Sequence, residues 1–333
     1  MAGVETSTAP SVVARLNVAG RLANVAAAMP ETIAVACPRS ALPKYRTTRR
    51  GNSGALYATI TFAELDADAT RLAHGLAVWG VPPGTRLALL VHPGIEFVTL
   101  VFALLRAGMV IVLVDPGLGR RNLVRCLQDA KPEGFVAVGF AQAARMFLRH
   151  KFPDARWNIT IGRRWCWGGK TLDQIRALGD CSSLAPRPSR LSPDDPAAII
   201  FTSGSTGPPK GVLYTHRMFD TQVAEIQTAY DIEPGGTDLS CFPLFALFNS
   251  AMGVTTVLPE MDFARPASAD PRKLITAAND WQVTQAFASP AVWRVMGDYC
   301  AKTGERMPTL LQVFSCGAPV PADVLRQTLA CVG

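Results

Sequence analysis

Histidine is scarce in this sequence. His74, His92, His150 and His216 are the whole supply, and no two of them form an H-x-x-x-H or H-E-x-x-H pair. A metal centre built on a local histidine pair is therefore not expected. Eight cysteines occur without a single C-x-x-C pair, at irregular spacing, and Cys241 and Cys316 sit in apolar stretches. That pattern excludes a disulfide framework and a zinc site, and it fits buried thiols in a reducing compartment. The opening "MAGVETSTAP" lacks a basic region followed by an apolar run, so no signal peptide is expected. No apolar run is long enough for a membrane span either. The best candidate, "FVTLVFALLRAGMVIVLV" from Phe97, is interrupted by Arg106 and Gly108. It reads as a buried helix to Arg106, a turn at Ala107-Gly108 and a buried strand from Met109 to Val114. A cytoplasmic location follows.

A block of like charge is missing as well. The net charge is +7, but the basic residues fall in pairs such as Arg49-Arg50, Arg120-Arg121 and Arg163-Arg164. Nucleic-acid binders concentrate their charge in one stripe, so no nucleic-acid partner is expected. An anionic small-molecule substrate fits the balance.

Alternating helix and strand signals fill what remains. "TFAELDADATRLAHGLAVWG" carries apolar residues at three- and four-residue spacing, Thr61 and Glu64 stand at capping-box spacing, and Gly80 closes the helix. "RLALLV" from Arg86 and "FVAVG" from Phe135 read as strands, and "NLVRCLQDAKPEG" as a helix that stops at Pro132. Helices between near-continuous apolar strands predict a parallel sheet covered on both faces. From Cys181 to Pro196 the text becomes "CSSLAPRPSRLSPDDP", without a period, and reads as a linker. After it, "AAIIF" and "GVLYTH" are strands, and a helix runs from about Arg217 to Tyr230. At 333 residues the chain exceeds one ordinary domain. The expected organisation is a first α/β subdomain over 1–185, a linker over 186–196 and a second α/β subdomain over 197–333.

Between "AAIIF" and "GVLYTH" lies "TSGSTGPPKG", from Thr202. A Walker A loop would need Gly before Lys210 and Ser or Thr after it, but Pro209 and Gly211 stand there. It would also open a helix, whereas this loop joins two strands. Gly204, Gly207 and Gly211 let the backbone approach a ligand closely. Ser203, Ser205 and Thr206 supply hydroxyls, successive N–H groups can form an anion nest, and Lys210 adds a positive charge. A polyanion is the natural guest; a bare Gly/Ser hairpin is the alternative.

The full string "FTSGSTGPPKGV" resembles the phosphate-binding signature of the adenylate-forming superfamily, which comprises acyl-CoA synthetases, luciferases and peptide-synthetase adenylation domains. "TFAELDADATRLAHGLAVWGVPPGTRLALLV" resembles the superfamily's N-terminal subdomain, "FALLRAGMVIVLVDP" the helix–strand unit that follows it, and "SCGAPVP" from Ser315 the adenine loop. The resemblance covers the whole chain. It implies the large N-terminal domain of these enzymes, with two stacked mixed or parallel sheets sandwiched by helices, and it implies ATP and Mg2+. Thr202, Ser203, Gly204, Ser205, Thr206, Gly207 and Lys210 would hold phosphates, with Lys210 alternatively only anchoring the loop. Gly317, Ala318 and Pro319 would flank adenine. Phe245, Phe248, Asn249 and Met252 would contact the acid, or the three apolar ones would be ordinary core. Within the superfamily, "DPGLGRRNL" is similar to the β-lactone synthetases of bacterial long-chain olefin biosynthesis. In the P-L-F-H-x-x-G stretch of many acyl-CoA synthetases, this chain has Ala246 for His and Asn249 for Gly.

These resemblances imply activation of a long-chain β-hydroxy fatty acid and its closure to a β-lactone, and they allow a complex with other olefin-forming enzymes. A fatty acyl-CoA synthetase is the alternative. The superfamily's Y-G-x-T-E motif, whose Glu helps bind magnesium, its T-G-D motif and its C-terminal lid with a catalytic Lys are not found before Gly333. No catalytic residue is therefore assigned. A truncated enzyme, a split enzyme and a nucleotide-binding module without turnover all remain open, as does a peripheral membrane or scaffold role for the basic surface.

Overall fold

A computed structural model describes residues 18–38, 45–51, 53–181, 191–202, 209–329 and 331–332. The described strands form two seven-stranded sheets. The first has the order β14-β13-β11-β12-β1-β3-β2, with β1 (Ile33–Pro38), β2 (Arg46–Arg49), β3 (Leu56–Thr61), β11 (Thr237–Ser240), β12 (Thr255–Val257), β13 (Gln285–Ala288) and β14 (Gln312–Ser315). The second has the order β10-β9-β5-β4-β6-β7-β8, with β4 (Arg86–Leu90), β5 (Val110–Val114), β6 (Gly134–Val138), β7 (Trp157–Ile161), β8 (Lys170–Thr171), β9 (Pro196–Thr202) and β10 (Lys210–Thr215). Every pairing of the second sheet is parallel except that of β9 with β10. In the first sheet, β3 runs antiparallel to both β1 and β2.

Strand alternation divides the core into three parts. Val35, Leu87 and Ile111 point into a central layer between the sheets, where they meet α1 (Val18–Ala28), α2 (Phe62–Trp79), α3 (Ile95–Arg106), α6 (Leu172–Asp180), α7 (His216–Ala229) and α8 (Phe245–Met252). Their neighbours Ala88 and Val112 face the opposite way, against α4 (Arg120–Ala130). Ala36, Leu239 and Ala286 pack under α9 (Pro271–Asp280), α10 (Pro290–Thr303) and α11 (Ala322–Leu329). α5 (Gly139–Phe147) lies over β6 and β7. The architecture is thus the expected pair of sheets sandwiched by helices.

Local signals fixed several element ends. The Thr61–Glu64 capping box starts α2, and Gly80 ends it at φ +85°. α3 stops at Arg106, and Gly108 turns the chain into β5 at φ +72°. Sheet membership departs from the division drawn at 186–196. β1–β3 join the sheet of β11–β14, while β9 and β10 complete the sheet of β4–β8. Helix and strand periodicity is a local property, whereas strand pairing joins residues far apart in sequence. Of the two cysteines read as apolar, Cys241 is buried but Cys316 is exposed, just beyond the end of β14. Among the described residues, no helix is long and apolar enough to cross a membrane.

Candidate functional site

The hairpin of β9 and β10 comes first. Antiparallel pairing runs up to Lys210 opposite Thr202, so the Gly/Ser segment caps the hairpin as a strand–loop–strand connection. Ser203, Gly204, Ser205, Thr206 and Gly207 lie outside the described residues. Lys210 is exposed at the loop's exit. Gly211 faces Phe201, and a Cβ on it would come within 3.0 Å of the Phe201 ring. A side chain there would need the Phe201 ring and the Ile199 methyl to give by a few tenths of an ångström. β9 also pairs in parallel with β5, Phe201 beside Val114, so the loop leaves the carboxyl edge of the second sheet. That edge is where open α/β sheets take their ligands.

The other half of the site is the carboxyl end of β14. Gly317 holds φ +92°, and Gly317, Ala318 and Pro319 are all exposed. Ser315 pairs in register with Ala288, the last residue of β13. The Oγ atoms of Ser315 and of the adjacent Ser289 are buried with no partner among the described residues. Gln312 Nε2 donates to the Tyr230 carbonyl at 2.8 Å, and the Tyr230 ring meets Phe314 edge-on at 5.1 Å. These contacts hold the end of α7, the helix that follows β10, against the first sheet.

An apolar cavity of about 150 Å³ lies between the sheets. Its walls include Leu113 of β5, Ile200 of β9, Tyr214 of β10, Phe219 of α7, and Leu247 and Phe248 of α8. Of the four residues expected to contact an acid, Phe248 lines this cavity. Phe245 stacks on Phe287, with ring centroids 4.1 Å apart, and Met252 is buried in the central core. Asn249 is fully buried in a polar cluster: its Nδ2 donates to Asp238 Oδ2 at 2.8 Å and to Ser240 Oγ at 3.1 Å. Ser240 donates to the same carboxylate oxygen. Asp238 Oδ1 and Asn249 Oδ1 have no hydrogen-bond partner among the described residues. Burial pushes the Asp238 carboxyl up to about 6, against the opposing influence of Ser240, Asn249 and Gln285. His216, at the start of α7, is also buried, with neither ring nitrogen partnered, and burial lowers its pKa against the charge of Asp195.

Asp238, Ser240 and the cavity walls other than Phe248 were not singled out from sequence. The one available signal was an acidic residue inside the apolar text "DLSCFPLF". Leu113, Ile200 and Phe219 carried no signal, since cavity wall and ordinary core have the same composition. Among the described residues no cluster of three or more His, Cys, Asp or Glu could hold a metal ion.

Residues 24–333 match the AMP-binding enzyme family over nearly the whole chain. The chain belongs to that family. An olefin beta-lactone synthetase of Xanthomonas campestris pv. campestris is 45% identical to it over 317 residues, which is 94% of this chain and 54% of that protein. An olefin beta-lactone synthetase of Stenotrophomonas maltophilia is also 45% identical, over 93% of this chain and 54% of the relative. The chain therefore spans about half the length of these curated relatives. Among solved structures, the N-terminal domain of FACL13 from Mycobacterium tuberculosis aligns with a TM-score of 0.74 at 21% identity, covering 94% of this chain and 73% of that chain. That likeness carries the fold.

Proposed function

We propose that the chain is the carboxylate-activating part of an ATP-dependent, AMP-forming ligase whose substrate is a long-chain β-hydroxy fatty acid and whose product is a β-lactone. One observation carries this reading. The strands that flank the polyanion loop, β9 and β10, also supply Ile200 and Tyr214 to the wall of the apolar cavity. One hairpin thereby addresses a phosphate chain and an acyl chain together. The 45% identity to two olefin beta-lactone synthetases supports the choice of product.

A carboxylate oxygen attacks the α-phosphorus of ATP, the bond to the β-phosphate breaks, and pyrophosphate leaves. Charge builds on phosphate oxygens, so fixed donors and a cation favour the transition state. Thr202, Ser203, Ser205, Thr206, the loop amides and Lys210 are the assigned donors, and Gly317, Ala318 and Pro319 the assigned adenine wall. The β-hydroxyl then attacks the acyl carbonyl, the acyl–phosphate bond breaks, AMP leaves and the hydroxyl proton passes to solvent. The nucleophile is tethered, so no thiol is needed. Phe248 and its neighbours seat the chain. At about 150 Å³ the cavity is smaller than the roughly 300–1,000 Å³ of a drug-sized site, so it holds one segment of a long chain. The described residues offer no ligand cluster for Mg2+, and no step here runs through the ion. A cytoplasmic setting and contact with other olefin-forming enzymes belong to the same reading.

The test uses this chain supplied with the C-terminal segment of the Xanthomonas relative. A β-hydroxy acid and ATP should give β-lactone, AMP and pyrophosphate at a rate that coenzyme A does not change, with products identified by mass spectrometry. Equal conversion of an unhydroxylated fatty acid to its acyl-CoA would overturn the lactone reading. Absence of nucleotide binding by calorimetry would overturn the ligase reading itself.

A further inference from the structure

The basic residues form no continuous block, but they are unevenly distributed along the chain. Residues 139–170 hold seven of the thirty-three Lys and Arg and one of the twenty-six Asp and Glu, so this stretch carries +6 and the rest of the chain only +1. Elsewhere several exposed arginines are answered: Arg217 by Asp194, Arg265 by Asp262, Arg272 by Asp270 and Arg294 by Asp323. None of the seven cations of 139–170 forms an ion pair among the described residues. Arg149, Lys151 and Arg163 have no side-chain hydrogen bond there either. An unpaired cluster of this kind keeps its field available to a partner.

Three large aromatic side chains stand in water on the same stretch. Gln142 pins α5 to the sheet, its Nε2 donating to the carbonyls of Phe135 and Ile159 at 3.2 and 2.9 Å. At about 100° per residue, Phe140 and Phe147 lie on the far side of the helix from Gln142. They are 80% and 78% exposed. Trp165 is 71% exposed and stacks on the buried Trp167 with ring centroids 5.9 Å apart. Trp167 is fixed by a 2.9 Å bond from its Nε1 to Thr160 Oγ1, and its ring lies beside Gly139 at the start of α5. Trp165 is therefore held next to the helix that carries both phenylalanines.

We infer that the α5 face, with Phe140, Phe147, Trp165 and the cations Arg149, Arg163 and Arg164, docks on the surface of an anionic phospholipid bilayer. Aromatic rings with polar surroundings settle at the headgroup level, and Lys and Arg beside them meet lipid phosphates. Each cation near an anionic leaflet adds to the attraction, which salt weakens. A second copy of this chain is a poor occupant, because two +6 faces repel. A nucleic acid would use the charge, but phosphate contacts alone leave the outward phenylalanines without a role. The face is independent of the adenylation reading, and its test contains neither ATP nor acid.

The experiment is co-sedimentation of the whole chain with phosphatidylcholine vesicles, with and without phosphatidylglycerol, at low and high salt. Binding is expected on the anionic vesicles only and should fall with salt. Combining Phe140→Ser, Phe147→Ser and Trp165→Ser should weaken it by at least about tenfold, because the apolar anchor is gone. The combination Arg149→Glu, Arg163→Glu and Arg164→Glu should abolish it, and Lys302→Glu on α10 should leave it unchanged. Melting curves of the variants report folding. If the aromatic variant does not fold, quenching of tryptophan fluorescence by bromine-labelled lipid, lost on Trp165→Phe, gives the same readout. No binding to anionic vesicles, or equal binding to neutral ones, overturns the proposal. Retention of a DNA duplex but not of vesicles, with the aromatic variant unimpaired, replaces it with a nucleic-acid surface.

Discussion

Two buried aspartates, Asp68 and Asp238, are treated in opposite ways. Asp68 on α2 faces Arg176 on α6, whose Nε donates to Oδ1 at 2.9 Å and whose Nη2 donates to Oδ2 at 2.8 Å. Burial works against the guanidinium, but the bonds and charge of Asp68, with Glu96 nearby, outweigh it and hold the Arg176 pKa above its usual range. Gly75 and Gly179 let the two helices close in: a Cβ on either would collide with a backbone carbonyl of the partner helix. Asp238 has no such cation. A hydroxyl and an amide share one of its oxygens, and the other is unpartnered among the described residues. The first carboxylate joins two helices; the second lies beneath α8, the helix that carries Phe248 into the cavity wall. Charge is neutralised where the fold is only held together, and left in tension beside the candidate site.

Breaking the answered pair should have the largest effect. Arg176→Ala leaves Asp68 without its bidentate partner and removes the ion pair of Arg176 with Glu96. Loss of one member of a buried pair costs about 3–5 kcal/mol. Chemical denaturation should show a fall of that order at neutral pH. A loss below about 1 kcal/mol, the range of exposed pairs, would mean that the pair is effectively solvated and the contrast with Asp238 is false.

Asp238 should show itself through pH. Its folded pKa, about 6, lies above the ordinary aspartate value of 3.8. Between those values the folded protein keeps a proton that the unfolded chain has lost, so stability falls as pH rises through the window from about 4 to 6. Above it the full penalty applies, about 3 kcal/mol at roughly 1.4 kcal/mol per unit. Asp238→Asn cannot ionise. Its stability should be level across that window, match the parent near pH 4, and exceed it above pH 7. A parent profile that rises with pH, or an equal slope in the variant, would show that the carboxyl is ionised throughout.

Asn249 belongs to the same cluster, and Asn249→Ala removes two donors from it. The expected loss is about 1–3 kcal/mol for a buried group left short of a bond, with the fall in stability shifted to higher pH. Phe248→Ala would instead enlarge the cavity. Binding of acids of graded chain length separates the two, since the cavity variant should change the preferred length and the Asn249 variant should not. An altered length preference in Asn249→Ala would return that residue to the acid-contacting set.

This contrast explains how far the sequence could be read. The α2 cap at Thr61 and the turn at Gly108 were legible because each is set by a few neighbouring residues. The strand–loop–strand form of "TSGSTGPPKG" was legible from its flanks for the same reason. Pairing of β1 with β12 joins Val35 to Thr256, and no local pattern encodes it. Whether Asn249 faces a substrate or a buried carboxylate depends on the rotation of α8 over β11, which its apolar neighbours leave undetermined. Phe140 and Phe147, spaced like core residues, stand in water because α5 covers the sheet with Gln142 instead.

The smallest expected effect on stability is at Lys210. It is exposed at the first residue of β10, opposite Thr202, and has no ion pair among the described residues. Removing its charge takes no partner away from a buried group, so Lys210→Ala should melt with the parent. Its effect should appear only when a polyanion is present. A charge-assisted hydrogen bond is worth about twice a neutral one, and bonds to charged groups contribute about 1.5–3 kcal/mol, so ATP affinity should fall by roughly tenfold to a hundredfold. Calorimetric titration with ATP and with adenosine tests the assignment, because the loss should appear for the nucleotide with phosphates and not for the nucleoside. An equal loss for both would move Lys210 from the phosphates to the rest of the nucleotide. Unchanged ATP affinity would leave the lysine as a solvated residue at the hairpin's exit, and the phosphate assignment would then rest on the loop's hydroxyls and amides alone.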